Sequence, residues 1–128
     1  MAQDGMGEKQ SKSRTVSFFT IPAHLMENDV AEVGIITLSA DEELAAYKRA
    51  NGDSARLANE LAKTCIVEVV DTAGAAKKLS LADGSVDIFW KSLDPRVRQL
   101  VLGGYAELHA AKDEDARSFL KSRKIRVS

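Results

Sequence analysis

Few side chains in this sequence are able to do chemistry, and they lie far apart. His24 and His109 are the only histidines, and neither has a cysteine or carboxylate at metal-ligand spacing. Cys65 is the sole cysteine. A nucleophilic thiol needs a neighbouring base or positive charge to become a thiolate, and the sequence around Cys65 offers no base. Its place at the end of an apolar helical stripe reads instead as a small buried hydrophobe. Asp41-Glu42-Glu43 is the densest acidic run. It fits a helix N-terminus, where the helix dipole favours negative charge. Gly5-Met6-Gly7-Glu8-Lys9 lacks the GxxxxGK[ST] spacing and the preceding strand of a phosphate loop, and no GxSxG, HExxH or EF-hand pattern occurs. The expectation is a non-enzymatic protein without metal or cofactor, whose work is binding.

The large apolar residues carry the pattern that chemistry does not. In residues 84–109, GSVDIFWKSLDPRVRQLVLGGYAELH, Val86, Phe89, Trp90 and Leu93 fall at i, i+3, i+4 and i+7, one face of a short helix. Asp83 or Ser85 can accept from its first N–H groups, with Gly84 easing the turn. Asp94-Pro95 stops that helix, because proline disfavours the α conformation in the residue before it. The same pair starts the next helix, Asp94 as N-cap and Pro95 at N1. Val97, Leu100, Val101, Tyr105 and Leu108 then make a second stripe, interrupted by Gly103-Gly104. Each glycine costs about 1 kcal/mol against alanine in a helix interior, so a close neighbour is expected at that face.

Around this stretch the elements read as follows. Residues 1–14 are polar and aperiodic, a disordered tail. Residues 15–21, TVSFFTI, form a strand ended by Pro22, and 23–29 a loop. Residues 30–38, VAEVGIITL, form a second strand, with Val33, Ile35 and Thr37 on one face and Ile36 and Leu38 on the other. Ser39 and Glu42 make a capping box for a largely exposed helix bearing Leu44 and Tyr47. Asn51-Gly52 ends it, and Asp53 caps another with Leu57, Ala58, Leu61, Ala62 and Cys65 on one face. Residues 66–70 and 75–81 form a β-hairpin around Asp71-Thr72-Ala73-Gly74, with Lys77 and Lys78 guarding its edge. Beyond His109 the chain is charged; Ala116, Phe119 and Leu120 make a short apolar strip, and Lys121, Arg123, Lys124 and Arg126 a solvated basic end.

The totals agree with a small domain. Lys and Arg number 18 against 19 Asp and Glu, a net charge of −1, which argues against a dedicated nucleic-acid binder. One cysteine fits a reducing compartment. The first residues lack the apolar core of a signal peptide, and no apolar run approaches the ~20 residues of a membrane span. The expected protein is cytoplasmic. Its expected fold is a single, mainly helical α+β domain over residues 15–111, with an N-terminal strand pair and a central β-hairpin. Tails 1–14 and 112–128 flank it, the second partly helical.

The order capped helix, Asp-started helix, IVEVVD hairpin, then the run DG-x-V-D-x-F-W-x-x-L-D-P-x-V-R over residues 83–98, resembles the tail assembly chaperones of long-tailed bacteriophages. The resemblance spans about residues 32–109. It implies a protein of the infected host's cytoplasm that binds the long tape measure protein, keeps it soluble and promotes tail tube assembly around it. Tail tube subunits and further copies of the chain are the other implied partners. Such a protein needs a groove for an amphipathic helix. The candidate lining is Phe89, Trp90, Leu93, Val97, Val101 and Tyr105, since Trp and Tyr are frequent interface anchors. The competing reading makes Trp90 the core of the domain. A second functional reading is a structural tail or neck subunit forming rings through the 30–38 strand. A third, a DNA-binding regulator, rests on the helix pair and on Arg96 and Arg98.

Overall fold

The computed structural model describes residues 14–26, 29–110, 112–123 and 125. The expected N-terminal tail lies outside these residues except for Arg14, as do Lys124 and Arg126 of the basic end. The chain is an α+β domain: β1 (Ser17–Thr20), β2 (Val30–Ile35), α1 (Ala40–Ala50), α2 (Ser54–Cys65), β3 (Ile66–Asp71), β4 (Ala76–Lys78), α3 (Ser85–Ser92), α4 (Pro95–His109) and α5 (Asp113–Lys121). A 3-10 turn, Ala23–Leu25, opens the stretch 23–29 expected as a loop.

Local chemistry sets the helix boundaries. Ser39 Oγ accepts from the Glu42 N–H (3.3 Å) while the Ser39 N–H donates to Glu42 Oε1 (2.8 Å), the reciprocal capping box. Asn51 adopts the left-handed conformation (φ 52°) that ends α1. Asp53 Oδ1 accepts from the N–H groups of Ala55 and Arg56 at 2.9 and 3.2 Å. Before α3, Gly84 takes φ 77° and Asp83 Oδ1 accepts from the Ser85 N–H at 2.9 Å. Asp94 accepts from the Arg96 N–H at 2.7 Å, with Pro95 at the first helical position.

The strand pair and the hairpin join in one antiparallel sheet, ordered β1-β2-β3-β4. The chain leaves it after β2, builds the α1–α2 pair and returns at β3. Val33 lies opposite Phe19 on one side and Val69 on the other, which puts the three on one face. β2 therefore has both edges paired, and rings built through this strand, as expected for a tail or neck subunit, have no free edge there. The strand is also shorter than the 30–38 run. Ile36 leaves the ladder, buries itself and donates its N–H to the Cys65 carbonyl (2.9 Å), while Thr37 is exposed.

One face of the sheet carries the core. Val33, Ile35, Ile66, Val69 and Leu79 pack with Val86 and Trp90 of α3, Leu93 just after it, Val97 and Val101 of α4, and Ala62 and Cys65 of α2. The opposite face carries the exposed Phe18 and a Glu68–Lys78 ion pair at 3.5 Å. α4 runs unbroken through Gly103-Gly104. Only Gly104 has the close neighbour: a Cβ there would lie 3.4 Å from the Phe19 ring and 3.5 Å from Ile35 Cδ1, while Gly103 faces open space. The buried line of α4 is Val97, Val101 and Gly104, so Leu100 falls on its flank and is half exposed, contrary to the expected stripe.

Candidate interaction site

The six residues expected to line a groove divide sharply by position. Trp90 is 5% exposed, and Leu93, Val97 and Val101 are buried with it beneath the sheet. These four pack the interior of the domain and face no partner, which corrects the expected groove. The physical reason is size: a small domain with one exposed sheet face must cover that face, and the linked stripes of α3 and α4 are its largest apolar surface. Arg98 locks the arrangement. Its guanidinium sits 5.7 Å from the Trp90 ring centroid and donates to the carbonyls of Trp90 (3.0 Å) and Lys91 (3.2 Å). Arg96, the other expected phosphate contact, pairs with Asp94 at 2.8 Å.

Tyr105 is half-buried and ties α4 to α1. Its hydroxyl donates to Glu43 Oε2 at 2.8 Å, and its ring lies 4.0 Å from that of His109, centroid to centroid. Burial, reinforced by the Glu43 carboxylate, pushes its phenol well above the usual range. His109 is a clasp. Its Nε2 accepts from the Leu38 N–H (3.0 Å) and its Nδ1 faces the Tyr105 carbonyl (2.8 Å), which a neutral ring with the proton on Nδ1 satisfies on both sides. His24 is exposed on the 3-10 turn.

Phe89 stands at an opening of useful size. It lines a cleft of about 280 Å³ between the β3–β4 hairpin and α3, with Val30, Val69, Leu79, Ile88 and Lys77. Ile88 is 72% exposed there. Val97 and Val101 also border a crevice beside Phe19 and Leu100, but at about 30 Å³ it has room for about one water. The first space has room for a side chain and the second does not. Asp71, the acid lining the cleft, accepts from the N–H groups of Ala73 (2.9 Å) and Ala75 (2.8 Å) and is thereby committed to its turn. Sequence reasoning missed Ile88, although its signal was present: a large apolar residue one position off the α3 stripe has no place in the core.

The remaining reactive group is quiet. Cys65 is fully buried, its Sγ donates to the Ala62 carbonyl at 3.2 Å, and burial pushes the thiol up to about 12. It stays protonated at neutral pH. Among the described residues no three His, Cys, Asp or Glu side chains come together as a metal ion requires. Arg14, expected in a solvated tail, instead grips Glu42 through both guanidinium nitrogens. That contact raises the Arg14 pKa and lowers that of Glu42. Comparison with family models, with curated proteins and with solved structures finds no match to this chain in any of the three.

Proposed function

We propose that this protein is a phage tail assembly chaperone: it holds an amphipathic helix of the tape measure protein in the cleft between the β3–β4 hairpin and α3, and so keeps that protein soluble until tail tube subunits assemble on it. The observation that carries this reading is exposed Ile88 and half-buried Phe89 beside an apolar floor of Val30, Val69 and Leu79. An amphipathic helix is read by grooves of this kind through two or three side chains one turn apart. The resemblance over residues 83–98 supplies the client, since both cleft aromatic and flanking helix starts belong to that run. The action is non-enzymatic and takes place in the host cytoplasm. No helix among the described residues is long and apolar enough to cross a membrane.

The test is co-expression with the tape measure protein encoded in the same genome. The expected result is that the tape measure protein moves from the pellet to the soluble fraction and co-purifies with this chain. Recovery of this chain alone, with the tape measure protein equally insoluble with or without it, contradicts the proposal.

A further inference from the structure

Among the described residues, two exposed apolar features have chemistries that match. The first is α5, no residue of which is buried. Phe119 and Leu120, 76% and 67% exposed, share its apolar strip with Ala116, and Asp113, Glu114 and Asp115 make its first turn acidic. The second is the cleft. Lys77 lines it and Lys91 stands one turn beyond Ile88 on α3. Among the described residues neither lysine is in an ion pair. The cleft thus offers an apolar floor with cations on its rim, and α5 offers an apolar strip with anions beside it.

In this chain the two stay apart: no residue of α5 is buried, and none lines the cleft. α4 ends where His109 holds Leu38, whereas the cleft begins at Val30, the opposite end of the second strand. The base of α5 is also pinned to α4 by a Lys112–Glu107 ion pair at 3.1 Å. A helix held at one end of its own body is positioned to reach a neighbour.

We propose that α5 of a second copy of this chain docks in the cleft. Phe119 and Leu120 sit against Val30, Leu79, Ile88 and Phe89, and the acidic first turn lies over Lys77 and Lys91. The exchange is reciprocal, so two copies form a two-fold dimer. The proposal shares the cleft with the helical client but does not depend on it, because self-association is measured with no client present. Where both hold, client helix and α5 compete for one site, and the dimer is the resting form of the chaperone.

The experiment is sedimentation of the full chain over a concentration series, at low and high salt. The expected result is a monomer–dimer equilibrium weakened by salt. The Phe119→Asp/Leu120→Asp double variant and Ile88→Asp each weaken it by about 30-fold or more, with thermal midpoints of the dilute monomers unchanged. Chains carrying Ile88→Cys, mixed with chains carrying Phe119→Cys, give a disulfide-linked mixed dimer on mild oxidation, with buried Cys65 silent. A monomer at every concentration overturns the proposal. So does a dimer indifferent to both variants, or a bridge closing within single chains that carry both new cysteines. A monomer that still binds the tape measure helix through Ile88 overturns the exchange alone and leaves the client site standing.

Discussion

Trp90 and Ile88 are two positions apart on one short helix and face opposite fates. Trp90 is sealed in the core under Arg98, and truncation to alanine removes both the ring and the cation resting on it. Denaturant unfolding of Trp90→Ala is expected to show a loss of about 3–5 kcal/mol, the range for a buried aromatic. Ile88→Asp changes an exposed side chain and is expected to stay within about 0.5 kcal/mol of the parent. Asp94 supplies a pH test. The Arg96 guanidinium, then the Arg96 N–H, hold its carboxyl down from an ordinary 3.8 to about 2. A carboxyl depressed in the folded state contributes stability that is complete above its unfolded value and disappears as pH falls through the folded one. Asp94→Asn is therefore expected to flatten the stability curve between about pH 4 and 2, read by thermal melts across that window. Glu42, held by Arg14, acts with the same sign. Periodicity placed Trp90 and Phe89 on one face correctly. It gives angles around a helix axis and not what covers that face, so the split between core and cleft was illegible.

At the scale of the element, boundaries were legible and lengths were not. Ser39, Asp53 and Asp94 each make the cap bonds that their sequence neighbourhoods call for, and Asp83 takes the Ser85 N–H from just before the Gly84 cap, because such bonds are satisfied within three or four residues. The 30–38 run failed as a strand past Ile35 because the end of α2, some thirty residues later, takes the Ile36 N–H. α4 carries a sharper test. Gly103 faces open space inside a helix, so Gly103→Ala is expected to raise stability by about 1 kcal/mol. Gly104 lies against Phe19 and Ile35, and Gly104→Leu is expected to lower stability by about 1–3 kcal/mol through overpacking. Chemical denaturation of the two variants side by side reads both signs. Equal effects would contradict the packing of α4 on β1 and β2.

The whole molecule is a sheet covered on one face by the α3–α4 pair, with α1 and α2 inserted between its middle strands. That insertion kept the union of strand pair and hairpin out of reach of the sequence, since β2 and β3 meet across both helices. The cleft was hidden for the same reason: it exists only where a three-residue β4 meets α3, and no local pattern encodes that junction. The cleft is the opening proposed above to take a helix. The most direct test is affinity of purified chain for a helical tape measure fragment, comparing parent, Ile88→Asp and Phe18→Asp, the last on the opposite sheet face. The account predicts that Ile88→Asp weakens binding by about 30-fold or more while Phe18→Asp matches the parent and all three melt alike. Equal binding by all three, or a loss confined to Phe18→Asp, would contradict it.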